Sequence, residues 1–193
     1  MTNLVVGMDE VGRGCWAGPL VVGAVVLRKP IAGLRDSKLL SPGRRSELDA
    51  VIRGHALAVS LGWVEAGDID ELGLTRSLVL AYERALANLR IDQTKVRRII
   101  IDGNRNYLPH LPHVQALIDA DATEPAVSAA SIIAKVARDK HMIQMSVRHP
   151  GYGFENHVGY GTPEHQAALA LLGVCELHRI SYRPVHDKLM GTS

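Results

Sequence analysis

Cysteine is scarce: Cys15 and Cys175 are the only two in 193 residues, and they form no CxxC pair. That argues against a disulfide scaffold or a structural zinc site, and it suits a reducing, cytoplasmic setting. Long apolar runs are also missing. No stretch of about 18 apolar residues occurs, so no membrane-spanning helix is expected. Met1-Thr2-Asn3 followed by Leu4-Val5-Val6 lacks the basic-then-apolar order of a signal peptide and is expected to lead into a strand. Charge of one sign is not in excess either. The net charge is +2, so any nucleic-acid binding must come from a local basic patch. No repeat, low-complexity tract or linker interrupts the chain, which reads as one domain over residues 1–193.

What is present is a sequence of strand and helix signals. Leu4 to Met8 is a short apolar run ending at Asp9-Glu10, as a buried strand would. Leu20 to Leu27 is rich in β-branched residues, and Ala56 to Val64 reads as a third strand. The short turns between these three suggest an antiparallel meander. Ser41-Pro42 supplies an N-cap side chain and a proline at the first helical position, with Leu48, Val51 and Ile52 on one face. Thr75 opens a second helix, with Leu78, Val79, Tyr82, Leu86 and Leu89 at helical spacing. Arg97 to Asp102 is a short strand closed by Gly103-Asn104, and Val114 to Asp121 is another. Ala129 to Arg148 is the longest helix, with Ala129, Ile132, Ile133, Val136, Ile143 and Val147 as its apolar stripe. Strands that first meander and then alternate with helices imply a mixed α/β sheet covered by helices on both faces.

The chemical signal is where the acids fall. Asp9-Glu10 follows the first strand, Asp102 ends the fourth and Asp121 ends the fifth. If those strands lie side by side and parallel, their carboxyl ends meet at one crevice. Carboxylates packed there repel one another unless cations offset the charge, and hard oxygen donors select Mg²⁺ or Mn²⁺ over zinc. Two such ions about 4 Å apart can clamp the attacking and leaving oxygens of a phosphodiester. Strand-end acids are also common as solvated loop residues or helix caps, and position alone leaves that reading open. Neighbours on a regular strand face opposite ways, so Glu10 is expected where the strand bends or ends.

Met8-Asp9-Glu10-Val11-Gly12-Arg13-Gly14-Cys15-Trp16-Ala17-Gly18-Pro19 resembles the N-terminal signature of the ribonuclease HII family. Further segments follow in the family's order: Asp36-Ser37-Lys38, Ile101-Asp102-Gly103-Asn104, Asp121 with Ser128 to Asp139, Gly159 to His165, and His178 to Val185. The resemblance implies an RNase H-like three-layer fold, a mixed five-stranded sheet flanked by helices, with a short helical C-terminal part. It implies a metal-dependent endonuclease that cuts 5′ to a ribonucleotide in RNA–DNA hybrids and in duplex DNA carrying embedded ribonucleotides. Two Mn²⁺ or Mg²⁺ ions, held by Asp9, Glu10, Asp102 and Asp121, come with that reading, as does a monomer. Asp119 would lie on the same strand face as Asp121, but Asp121 stands ten residues ahead of Ser131, as in the family's motif. Asp119 is therefore assigned to surface or structure.

By the same resemblance, Gly12-Arg13-Gly14 reads the ribonucleotide's 2′-hydroxyl, where glycines let backbone groups come close. The arginine separates the chain from ribonuclease HIII, which carries lysine there. Tyr160 matches a tyrosine that stacks near the RNA–DNA junction. Ser37, Lys38 and Asn104 match positions that hold backbone phosphates. Ala120 stands where glycine is common, expected to be tolerated on an extended backbone. Val158 stands where lysine is common, expected to remove a phosphate contact. Lys135, Arg138 and Lys140 are expected on a solvated helix face, and Glu65 to Glu71 on another. Arg44 and Arg45, in a helix's first turn, hint at phosphate contact. His110 and His113 are expected at the surface, Cys15 and Trp16 in packing. Two rival readings remain: another RNase H-like nuclease of the junction-resolvase kind, and a catalytically silent hybrid-binding module.

Overall fold

The computed structural model describes residues 4–34 and 40–191. Ser37 and Lys38 therefore lie outside the described residues. Five strands form one sheet: β1 Leu4–Val11, β2 Leu20–Leu27, β3 Ala56–Val64, β4 Val96–Asp102 and β5 Val114–Leu117, in the order β3-β2-β1-β4-β5. β1 pairs antiparallel with β2, while β1–β4 and β4–β5 are parallel. The sheet is mixed, as expected. The helices are α1 Pro42–His55, α2 Ala66–Leu72, α3 Leu74–Asn88, α4 Ala120–Thr123, α5 Pro125–Arg148, α6 Phe154–His157, α7 Pro163–Leu172 and α8 Arg183–Leu189. No helix among the described residues is long and apolar enough to cross a membrane.

Contacts divide the chain into two compact units. One holds the sheet, and the other takes in Gly12–Leu20, Val64–Leu78 and the chain from Ala137 onward. α5 supplies residues to both.

In the sheet unit, glycines let the helices come close. A Cβ on Gly7 would stand 2.1 Å from the Ala126 carbonyl carbon, and one on Gly23 2.4 Å from the Ala130 oxygen, so α5 lies directly on β1 and β2. Val25, Leu48, Ile52, Ile132 and Ile133 fill the layer between the sheet and α1 with α5. On the other face, a Cβ on Gly62 would meet the Ala81 oxygen of α3 at 2.0 Å, and the Ser60 hydroxyl donates to the Ala85 carbonyl at 2.6 Å. Backbone packed this tightly has no slack for a side chain. The start of α1 follows its cap chemistry: the Ser41 Oγ accepts from the Arg44 amide at 3.3 Å, a contact worth about 1 kcal/mol.

Several elements depart from expectation. β1 does not end at Met8 but continues through Asp9 and Glu10 to Val11, because Asp9, Glu10 and Val11 all pair with β2. β5 stops at Leu117, so Asp121 is not on a strand. Asp119 takes a left-handed φ of 56° and caps α4, which places Asp121 in that helix's first turn. Ala120 is accordingly helical, not extended, and its methyl packs with Ile100 and Val127. The stripe on α5 ends at Val136, since Ile143 and Val147 are exposed. Val51 on α1 is exposed as well.

Candidate active site

The parallel pairing of β1 with β4 brings two acids together. Met8 pairs with Ile101, so Asp9 and Asp102 follow side by side at the carboxyl ends of their strands. Asp102 in turn pairs with Leu117 of β5, and the amide of Asp121 donates to Asp102 Oδ1 at 3.3 Å. The backbone of the short α4 turn thereby ties the third aspartate to the second. Asp9 and Asp121 are both buried.

The electrostatic cost falls on Asp9. Its carboxyl is pushed up from 3.8 to about 7, chiefly by burial, with the Glu10 and Asp102 carboxylates adding to the shift. Hydrogen bonds from the Ser131 hydroxyl of α5 and from the Glu10 amide (2.8 Å) work the other way. Burial first, and neighbouring carboxylates second, disfavour the charged form of Asp9.

Glu10 takes a different position from the one expected. It sits within the strand, opposite Val22, and its side chain reaches α3, while its carboxylate stays close enough to Asp9 to raise that carboxyl. The Tyr82 hydroxyl of α3 donates to Glu10 Oε2 at 2.6 Å, and the Tyr82 ring stacks on Tyr107 at 5.0 Å. Tyr82 reads in the sequence as one more apolar-stripe residue. Only its polar tip, on a stripe otherwise aliphatic, marks it out.

The candidate donors are all carboxylate oxygens, with no histidine or thiolate among them. In kind and in charge they fit a hard divalent cation. Among the described residues no three His, Cys, Asp or Glu side chains are already gathered into a metal-holding group.

In the second unit, Gly12 takes a φ of +88°, and a Cβ there would stand 2.4 Å from Arg138 Nε. Glycine is required at this turn. Gly14 differs: nothing lies within 4 Å of where its Cβ would be. The Arg13 side chain is exposed, while its carbonyl accepts from Tyr182 Oη at 2.6 Å and from Arg179 Nη1 at 3.2 Å. Arg138 is buried completely, contrary to the solvated face expected for it. Its guanidinium donates to the carbonyls of Pro19, Val158 and Ala17 at 2.8, 2.8 and 3.0 Å. Arg179, equally buried, donates to Gly18 O through both Nε and Nη2. Two buried arginines thus organise the 12–19 segment, and helical periodicity gave no hint of either.

Tyr160 is partly exposed, and its hydroxyl is pushed up to about 12, chiefly by burial and then by its contact with Cys15. The guanidinium of Arg138 lies 6.0 Å from the centre of its ring. Asn104 is exposed in the bend after β4. Val158 is nearly buried at a left-handed φ of 45°, packed with Met142 and Phe154. Asp70 is not simply solvated: its carboxylate accepts from the Ile180 and Ser181 amides at 2.8 Å each. Arg44 bonds Glu47 at 2.7 Å, and Arg45 caps the Leu40 carbonyl, so both cations have local partners. His110 is exposed, 3.9 Å from Glu83.

The fold aligns with the crystal structure of ribonuclease H2 from Pyrococcus horikoshii OT3, with a TM-score of 0.83 and 28% identity over 98% of each chain. The mixed sheet and its flanking helices define the RNase H-like fold. Residues 6–185 match the ribonuclease HII family. The chain belongs to that family. Among its relatives, ribonuclease HII of Halorhodospira halophila is 46% identical over 188 residues, covering 97% of this chain and 95% of the relative. A ribonuclease HII of Thermus thermophilus is 48% identical over 185 residues, covering 94% and 87%.

Proposed function

We propose that this nuclease hydrolyses the phosphodiester 5′ to a ribonucleotide, in RNA–DNA hybrids and in duplex DNA with embedded ribonucleotides, leaving a 3′-hydroxyl and a 5′-phosphate. The observation that supports the reading is Asp9 beside Asp102 at the carboxyl ends of β1 and β4, with the Asp121 amide on Asp102 and Asp9 pushed to about 7. A surface meant only to bind phosphates gains nothing from such a charge. Asp9, Asp102, Asp121 and Glu10 would hold Mg²⁺ or Mn²⁺. When bound, two such ions lower the pKa of an attacking water and stabilise the leaving oxygen.

The chain's own residues supply placement. Ser131 and the Glu10 amide orient the Asp9 carboxylate, and Tyr82 keeps Glu10 from swinging freely. Gly14, open on the side where a Cβ would be, leaves room for a sugar to approach the backbone, and the 2′-hydroxyl both donates and accepts there. Tyr160 offers a ring to stack on the duplex, backed by the Arg138 guanidinium. Ser37, Lys38 and Asn104 would hold backbone phosphates, which positions a duplex without reading its sequence.

The deciding experiment incubates the protein and Mg²⁺ or Mn²⁺ with a DNA duplex containing one ribonucleotide. One cut, immediately 5′ to the ribonucleotide, is the expected result. Cutting of an all-DNA duplex would favour the junction-resolvase reading, and tight binding without a cut the silent binding module. In the same assay Tyr160→Ala is expected to weaken cleavage roughly tenfold or more, the loss of one base stack. Its melting temperature should change little. Tyr82→Phe should lower the rate by about tenfold through loss of one charge-assisted bond to Glu10; an unchanged rate would make that bond structural only.

A further inference from the structure

We infer that His165 is a positioning residue for Tyr160: in its neutral, Nδ1-protonated form it holds the Tyr160 carbonyl as the last link of a one-way hydrogen-bond chain that starts at the Cys175 amide. The inference rests on the proposed substrate role of Tyr160.

The direction of the chain follows from donor arithmetic. An amide can only donate, and the Cys175 N–H points at His178 Nδ1 from 3.0 Å, with the Cys175 thiol 3.1 Å from the same nitrogen. The Cys175 carbonyl is also 3.3 Å from that nitrogen, but the amide is closer and can only donate, so His178 Nδ1 accepts and the proton of the neutral ring sits on Nε2. That nitrogen is 3.1 Å from His165 Nε2. Two facing ring nitrogens share one proton, so His165 Nε2 accepts and its own proton is on Nδ1. Nδ1 lies 2.9 Å from the Tyr160 carbonyl oxygen, to which it donates.

His157 is fixed by the same logic. The Gly159 amide donates to its Nδ1 at 3.1 Å, leaving Nε2–H to donate to the Tyr152 carbonyl at 2.8 Å. Its ring stacks on His165 at 4.4 Å between centroids. His157 also supplies the carbonyl that takes the Tyr160 amide at 2.9 Å. Tyr160 is thus gripped at both its amide and its carbonyl by a histidine.

One more proton breaks the chain. On His165 Nε2 it would face the His178 Nε2–H, and on His178 Nδ1 it would face the Cys175 amide. The surroundings oppose a charge too. Phe154 and Trp16 pack 5.6 Å from the His165 ring. The titratable and charged groups around the pair are His157, His149, Tyr152, Cys175, Glu164, Glu176 and, beneath Tyr160, Arg138. Glu164 is bonded to Asn156 at 2.7 Å, and Glu176 faces His149 at 3.5 Å. Burial lowers His165 below its usual range and His178 to about 4. Both rings are neutral at pH 7, and the grip on Tyr160 loosens only as pH falls below the ordinary histidine range.

The test compares wild type, His165→Asn, His165→Gln and Tyr160→Ala on the one-ribonucleotide duplex from pH 5 to 9. The asparagine amide nitrogen takes the place of Nδ1 and can donate to the Tyr160 carbonyl without titrating. The glutamine amide reaches the Nε2 position and leaves that carbonyl with the Thr162 amide alone, at 2.8 Å. His165→Asn is expected to keep KM near wild type across that pH range. His165→Gln should raise KM roughly tenfold at all pH values, the worth of one hydrogen bond. Equal behaviour of the two variants overturns the inference. Tyr160→Ala with wild-type kinetics overturns the reading of Tyr160 and this inference with it. Independently of how the variants fold, ¹⁵N-resolved NMR of the wild-type histidine rings should show His165 protonated at Nδ1 and His178 at Nε2. The opposite tautomers overturn it.

Discussion

Asp9→Asn is expected to lower cleavage of a one-ribonucleotide duplex at least a thousandfold, while raising the melting temperature of the chelator-treated protein above pH 7. Both effects have one cause. Asp9 is buried beside the Glu10 and Asp102 carboxylates, and under the proposed function removing its charge removes a ligand worth several kcal/mol of transition-state stabilisation. The same removal relieves repulsion in the ion-free fold. The sign follows from linkage: the folded carboxyl, at about 7, lies above its unfolded value of 3.8. Protonated Asp9 therefore stabilises the fold at low pH, and that contribution is lost as pH rises through about 7. The span corresponds to roughly 4 kcal/mol in wild type. Asparagine cannot ionise, so the variant should escape the loss. It can still accept from Ser131 or from the Glu10 amide, though not from both as well as a carboxylate does. Thermal melts in EDTA between pH 4 and 8 should show the two curves together at the acid end and separating upward. Near-normal turnover would remove Asp9 from the site, and coincident curves at pH 8 would remove the charge argument.

The parts of this molecule legible in its sequence are those decided locally. The β-branched run Leu20–Leu27 and the strand Ala56–Val64 sit where their side chains predict. Ser41 and Pro42 begin α1 because cap and N1 chemistry need only neighbouring residues. The aspartates were legible in part. Their positions after apolar runs predict a meeting at one sheet edge; the parallel β1–β4 pairing sets Asp9 beside Asp102, and the Asp121 amide reaches Asp102 from α4. The details that failed are those set by distant partners. Asp9 and Glu10 look like the end of a strand because charges end apolar runs, yet the β2 backbone pairs with both. Asp121 looks like the end of a strand until Asp119 turns left-handed. Arg138 falls in a helix among charges, where periodicity assigns solvent, and only three carbonyls on two other segments of the chain explain its burial.

Arg138→Met is expected to lower the melting temperature by about 10 °C and cleavage by at least a hundredfold. The guanidinium is a planar fork whose Nε, Nη1 and Nη2 each serve a different backbone carbonyl, at Pro19, Val158 and Ala17. Three glycines clear the space around it. A Cβ on Gly12, Gly18 or Gly159 would stand 2.4, 3.3 or 3.4 Å from one of its nitrogens. Methionine fills the stem's volume but leaves three buried carbonyls without donors, at about 1–3 kcal/mol each. Losing a buried charge offsets part of that, so the net cost should be roughly 3–5 kcal/mol. At about 2–4 °C per kcal/mol for a chain of this length, the shift in melting temperature follows. Activity should fall further than stability explains when measured at a temperature where the variant remains folded. The carbonyls released at Ala17 and Pro19 belong to the segment that continues from Gly12-Arg13-Gly14, and the one at Val158 lies two residues before Tyr160. Arg138→Lys separates charge from geometry: an ammonium keeps the charge but cannot reach three diverging acceptors, so it should recover some stability and little activity. Recovery of both by lysine would mean that the charge alone matters, and a methionine variant within about 1 °C of wild type would mean that the three carbonyls find other donors.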